Sequence, residues 1–282
     1  MNAGEGFFAP PGACRLPAQR WRDGQMEDAA ELVADEVPVA LVYNGISHAV
    51  MLASPRDLED FALGFSLGER IVRHARDIHD IEVEETCKGI AIEMRIASGA
   101  LVRLKASRRA RLGKTGCGLC GVESLAWFED EALDRPQAGA ASSVFEHAAL
   151  HRAMAAMGAR QQLHHATGAV HAAGWADRDG SLVCVREDVG RHNALDKLVG
   201  ALVAAQVDTG SGFAVVTSRA SFEMVQKAAR AGFPLLAAIS APTALAVKTA
   251  EGAGLTLAGF VRGERCVVYS HPQRLLPTET PG

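Results

Sequence analysis

Phe213-Ala214-Val215-Val216-Thr217-Ser218-Arg219-Ala220-Ser221-Phe222-Glu223-Met224-Val225-Gln226-Lys227-Ala228-Ala229-Arg230-Ala231-Gly232-Phe233-Pro234-Leu235-Leu236-Ala237-Ala238-Ile239-Ser240 reads as strand, helix, strand. Residues 213–217 form a short apolar run, 221–231 have helical spacing, and 235–239 are apolar again. The same rhythm continues outward. A strand is expected at 182–185 and a helix at 193–206 on one side. A helix at 242–251 and strands at 255–260 and 266–269 follow on the other. Strands that alternate with helices predict a mostly parallel sheet covered on both faces. Residues 261–265 are too few for a crossover helix, so the last two strands should be antiparallel. Ser143-Val144-Phe145-Glu146 has capping-box form and predicts a helix to about 158.

The first half reads differently. Residues 38–44 form an apolar strand, Asn44-Gly45 signals a hairpin, and 46–53 return. Ser54-Pro55 predicts a helix start, followed by Leu58, Phe61, Ala62 and Phe65 at helical spacing. Ile90, Ile92, Met94 and Ile96 alternate with Ala91, Glu93, Arg95 and Ala97 as a half-buried strand does. The expected division is a flexible tail at 1–28, an N-terminal αβ subdomain at 29–141, an α/β domain at 142–272 and a C-terminal tail at 273–282. The fold class is therefore α/β, with an α+β N-terminal part.

The 282-residue chain is 48% hydrophobic and 22% charged, which are ordinary globular values. A net charge of −4 and only 5% aromatic residues argue against a nucleic-acid binder. No apolar stretch has the length of a membrane span and no secretory leader is evident, so a cytoplasmic, reduced protein is expected. Its six cysteines are then not read as disulfides. Cys184 and Cys266 sit in apolar runs and should be buried.

The chemistry concentrates in Gly116-Cys117-Gly118-Leu119-Cys120-Gly121. It closes a stretch from Met94 to Val122 that lacks acidic residues and carries Arg95, Arg103, Lys105, Arg108, Arg109, Arg111 and Lys114. Nearby cations favour the thiolate, which is the nucleophilic form. Glycines permit close backbone approach. A mobile, basic, cysteine-bearing loop at about 101–122 is expected. In open α/β sheets ligands bind at the carboxyl ends of strands. Those ends carry Arg186, Asp188, Arg191 and His192, then Ser218 and Arg219, then Ser240, each group ahead of a helix that offers free N–H groups to an anion. Phe260-Val261-Arg262-Gly263-Glu264-Arg265 joins the last strands and is by itself a weak motif. His164, His165 and His171 are spaced too loosely to define a metal site. A zinc deaminase needs H-x-E upstream of P-C-x-x-C, whereas here the order is reversed and His171-Ala172-Ala173 lacks the glutamate. A thioredoxin-like motif would open a helix, which Gly118 and Gly121 disfavour.

Four segments together resemble the formate dehydrogenase accessory sulfurtransferases, the FdhD family. They are Gly113 to Gly121, Arg186 to Lys197, Thr217-Ser218-Arg219 with Glu223 to Lys227, and Ser240 to Val247, in collinear order. The resemblance implies a cytidine-deaminase-like mixed sheet flanked by helices, without deaminase chemistry, and a homodimer. It implies a sulfurtransferase that takes sulfur as a persulfide from a cysteine desulfurase. The sulfur passes to the molybdenum (or tungsten) bis(guanine dinucleotide) pterin cofactor, held as a substrate, which the formate dehydrogenase catalytic subunit requires. Cys117 would be the carrier and Cys120 its assistant. Phe260, Val261, Arg262, Gly263, Glu264 and Arg265 would hold the cofactor, and no metal would be bound directly by the protein. A cofactor-binding chaperone without sulfur transfer is the alternative, with a zinc-dependent deaminase-like hydrolase a more distant one.

Overall fold

The structure, a computed structural model, describes residues 9–112 and 143–277. Cys117, Cys120 and the expected boundary at 141 lie outside the described residues.

The strand–helix–strand unit forms where the sequence places it: β10 (Phe213–Val216), α6 (Phe222–Arg230) and β11 (Leu235–Ala238). It belongs to a six-stranded sheet of order β13-β12-β11-β10-β8-β9. The other members are β8 (His171–Ala176), β9 (Leu182–Asp188), β12 (Thr256–Arg262) and β13 (Arg265–Ser270). Strands β10, β11 and β12 run parallel, and the β12–β13 pair is antiparallel as its short link requires. The remaining helices of this half are α3 (His147–Arg160), α4 (Gln162–Thr167), α5 (Arg191–Ala204) and α7 (Ala244–Ala253). Helices α5, α6 and α7 cover one face through Leu195, Leu198, Leu202, Met224, Val225 and Ala246. Helix α3 covers the other through Ala149, Leu150, Ala153 and Met157, packed on Phe213, Val215 and Ala258. The sheet is thus the middle layer of three, mixed rather than mostly parallel. Residues 182–188 make an edge strand antiparallel to β8. Strand β8 escaped the sequence reading because His-Ala-Ala-Gly-Trp-Ala has few strand-favouring residues.

The N-terminal half builds a four-stranded sheet, β4-β3-β6-β5, from β3 (Val37–Tyr43), β4 (Ile46–Ala53), β5 (Ile78–Thr86) and β6 (Gly89–Ile96). Asn44 and Gly45 turn between β3 and β4 with φ of 49° and 75°, the positive pair that a two-residue hairpin needs. Helices α1 (Leu58–Gly68) and α2 (Ser98–Leu112) pack on this sheet through Phe61, Phe65, Ala100 and Leu104.

Several expectations are corrected. Residues 13–28 are not a loose tail: β1 (Ala13–Arg22) and β2 (Gln25–Ala34) pair along their whole length. Asp23-Gly24 supplies the turn, with φ of 52° and 79°. Ala13 and Ala34 seat the foot of this hairpin against Leu163 of α4. At the other end, β14 (Leu275–Leu276) pairs with β7 (Phe145–Glu146), so the tail does not start at 273. That same β7 carries the chain into α3, whose N-cap is Glu146 rather than Ser143. Ser54 does not cap α1, which starts at Leu58 behind Asp57, because its backbone and hydroxyl contact the other half of the molecule. The basic segment opens as helix α2 rather than as a loop, as its alanines, leucines and arginines favour.

Helices α1 and α5 cross at two glycines. A Cβ on Gly64 would stand 1.8 Å from the Asp196 carbonyl oxygen, and one on Gly200 would stand 1.9 Å from that of Asp60. Backbone cannot yield there as a side chain can. Gly64→Ala and Gly200→Ala should each destabilise the chain by roughly 1–3 kcal/mol. Urea denaturation of the two variants measures this, and unchanged midpoints would contradict the crossing.

Candidate functional site

Strand directions decide where functional side chains meet. Because β8 is antiparallel to both β9 and β10, strand β9 points the same way as β10, β11 and β12. All four carboxyl ends therefore lie on one edge of the sheet. That edge receives the N-termini of α5, α6 and α7, capped by Gly190, Ser221 and Thr243. Thr243 Oγ1 accepts from Ala246 N at 3.2 Å, while Ser221 makes no such side-chain bond. Three helix starts on one rim present free N–H groups and partial positive charge. Around them stand Arg191, half-buried, and Arg219, exposed. His192 Nε2 lies 2.8 Å from Glu223 Oε2, and that contact holds the Glu223 carboxyl below its ordinary range. His171 opens β8 on the same rim, and burial, with Arg191 nearby, lowers its imidazole pKa. His164 and His165 lie on α4 and bond main-chain carbonyls instead.

The segment 186–197 does something the sequence did not reveal. Much of it locks the two halves together. Asp188 is fully buried and lies 2.6 Å from Lys197 Nζ, itself fully buried. The same carboxylate accepts from Ser54 N at 3.0 Å, Gly190 N at 2.7 Å and Asn193 Nδ2 at 3.0 Å. Lys197 and Asn193 also donate to the Ser54 and Leu52 carbonyls. Burial pulls the Lys197 ammonium below its ordinary range even with Asp188 beside it. Arg186 reaches α1, where its guanidinium pairs with Asp60 at 2.8 Å. Glu187 accepts from Leu163 N and His164 N and so caps α4. Lys227 of α6 joins Asp196 at 2.8 Å and Glu69 at 3.0 Å, with its ammonium over the Phe65 ring. Of the four residues first grouped as ligand contacts, Arg186 and Asp188 are engaged within the fold. Arg191 and His192 remain at the rim.

Residues 260–265 form the tip of the β12–β13 hairpin, on this same edge. Phe260 takes a positive φ of 52° and exposes its ring. Val261 points the other way into the core and is fully buried. Arg262 pairs across the hairpin with Arg265, and its Nε donates to the Ile239 carbonyl at 2.8 Å. Gly263 turns at φ 55°, with open space where a Cβ would stand. Arg262, Gly263, Glu264 and Arg265 are all exposed. Two guanidiniums flanking an open backbone, beside the α7 start, can grip a phosphate in the bidentate manner arginine favours.

Among the described residues, Cys14, Cys87, Cys184 and Cys266 are free thiols. Cys184 and Cys266 are half-buried rather than buried, and burial raises both thiol pKa values. Neither has the depressed pKa of a nucleophile. No helix among the described residues is long and apolar enough to cross a membrane.

Comparison with known proteins places the chain. It is 54% identical over 273 residues to a sulfur carrier protein FdhD of Cupriavidus necator, covering 97% of this chain and 93% of the relative. A sulfur carrier protein FdhD of Bordetella parapertussis is 54% identical over 258 residues, covering 91% and 92%. A crystal structure from Desulfotalea psychrophila, described as that of a formate dehydrogenase accessory protein, superposes with a TM-score of 0.74. It is 24% identical and covers 94% of this chain and all of that one, so it speaks to the fold. The FdhD/NarQ family pattern matches residues 34–276, from the end of β2 through β14, and to that family this chain belongs.

Proposed function

We propose that this protein is a sulfur carrier that serves formate dehydrogenase. The observation that carries the reading is 54% identity with sulfur carrier proteins over 97% of the chain. The Gly-flanked pair Cys117 and Cys120 supplies the chemistry. The Cys117 thiolate attacks the outer sulfur of a cysteine desulfurase persulfide. The S–S bond of the donor breaks, the donor cysteine leaves as a thiolate, and Cys117 becomes the persulfide. For release, the Cys120 thiolate attacks the inner sulfur of Cys117. A Cys117–Cys120 disulfide forms and the terminal sulfur departs as hydrosulfide with the bonding electron pair, toward the acceptor. A cellular thiol reductant then restores both thiols.

The acceptor in this reading is the molybdenum bis(guanine dinucleotide) pterin cofactor, bound as a substrate. Its phosphates suit the rim built by Arg262, Arg265 and Arg219 over the α6 and α7 N-termini, with Gly263 letting the backbone approach. The protein would work as a homodimer in the cytoplasm, meeting the desulfurase and the dehydrogenase in turn. Incubation with a cysteine desulfurase and sulfur-labelled cysteine tests the carrier role. Label should move to the protein and then to formate dehydrogenase with its activation. A protein that stays unlabelled while the dehydrogenase is still activated would favour the chaperone reading.

The nucleotide site has its own test. Charge-assisted contacts contribute roughly 1.5–3 kcal/mol each. Arg262→Ala with Arg265→Ala should weaken binding of guanosine diphosphate at least about tenfold, read by calorimetry. Sulfur loading of Cys117 should persist, since it uses another segment. Equal affinities would move the site along the rim to the 186–192 segment, at Arg191 and His192.

A further inference from the structure

We propose that His147, His151 and Cys266 form a binding site for a zinc-class divalent metal ion, with three protein ligands and a fourth position left for water. His147 opens α3 and His151 follows one turn later, so both rings share a face of the helix. Cys266 is the second residue of β13, directly after the 262–265 turn. The three donors converge although 119 residues separate His147 from Cys266. His147 Nε2 stands 3.3 Å from His151 Nε2 and 3.2 Å from Cys266 Sγ. All three donor atoms lie within 4.8 Å of one another.

The two shorter separations are close to those around a bound ion. Zinc bonds of about 2.0–2.1 Å to nitrogen and about 2.3 Å to sulfur, set at tetrahedral angles, place ligand atoms roughly 3.3–3.6 Å apart. The two imidazole rings are tilted by 60° with centroids 4.5 Å apart, so they are not stacked face to face. Two imidazoles and a thiolate form a borderline-to-soft set that favours zinc over magnesium or calcium. All three residues are half-buried, so an ion can reach them while most of its shell is protein. On binding, the Cys266 thiol loses its proton to solvent as the metal–sulfur bond forms. The bound ion would tie the start of α3 to the tip of the β12–β13 hairpin. The site uses neither Cys117 nor Cys120 as a ligand and does not depend on the proposed sulfur path.

The test uses the full chain carrying Cys117→Ser and Cys120→Ser, so that the carrier pair cannot contribute. Metal is stripped, and Zn²⁺ is titrated in competition with a chromophoric chelator. One equivalent should bind. Adding His151→Ala or Cys266→Ser should each weaken binding by more than the roughly tenfold that loss of a residue merely hydrogen-bonded to a ligand costs. With Co²⁺ as probe, a thiolate-to-cobalt charge-transfer band should appear and vanish in Cys266→Ser. Circular dichroism of the stripped variants verifies folding, and His147→Ala replaces either variant that fails to fold. No stoichiometric uptake by the Cys117→Ser, Cys120→Ser chain, or equal affinity in the ligand variants, overturns the proposal. Absence of the charge-transfer band would overturn it as well.

Discussion

Cys117→Ala should reduce formate dehydrogenase activation to background in a host that lacks its own copy of this protein. The loss should be complete because, in the proposed route, the transferred sulfur rides on that side chain. Three of the four thiols among the described residues are ill suited to take its place. Cys184 and Cys266 have raised pKa values from burial, and Cys14 is raised chiefly by its hydrogen bond to Asp35. A thiol of raised pKa is a poor nucleophile at neutral pH. Cys120→Ala should act differently. It should leave Cys117 able to load sulfur but slow its release, so that persulfide accumulates. Formate-dependent dye reduction in cell extracts reads both variants. Full activity in the Cys117→Ala strain would refute the carrier assignment.

Asp188→Ala should be the most damaging substitution for stability, at about 3–5 kcal/mol, because it strands the Lys197 ammonium in the interior. Both side chains are fully buried, and the carboxylate also satisfies Ser54 N, Gly190 N and Asn193 Nδ2. For a chain of this size the melting temperature should fall by roughly 10 °C. Asp188→Ala combined with Lys197→Met removes the stranded charge and should recover part of the loss. Recovery should not be complete, since the three orphaned donors remain. Calorimetric melting of the single and double variants measures this. A single variant as stable as the parent would mean that the pair does not clamp the two halves.

How much of this was legible depends on the physics of each element. Strands β10 and β11 were readable because each is an unbroken apolar run bounded by turn residues, and β12 because Leu257, Ala258, Phe260 and Val261 make it mostly apolar. The β3–β4 hairpin was readable because Asn44-Gly45 supplies the backbone its turn demands. The β1–β2 hairpin carries an equivalent signal in Asp23-Gly24, but most of its side chains are exposed and show no alternation of apolar and polar residues. Strand β8 hid behind alanines and a glycine. A Cβ on Gly174 would meet Leu182 Cδ1 and Met157 Cε at 2.9 Å, the ends of side chains that can shift.

At the site, the rim of helix starts followed from strand alternation. The role of 186–197 did not, because local sequence cannot say which polar side chains will be buried against a distant segment. Ser54 and Asp188 are 134 residues apart. The gathering of His147 and His151 with Cys266 was invisible for the same reason. The Cys117 and Cys120 pair was singled out on local features alone: its spacing, glycines and basic neighbours.

The most direct test of the account is to load the protein from a cysteine desulfurase and map the added sulfur by mass spectrometry under non-reducing conditions. The account predicts one extra sulfur atom on the peptide containing Cys117, absent when desulfurase or cysteine is omitted. An unmodified Cys117 with sulfur on another cysteine would contradict it.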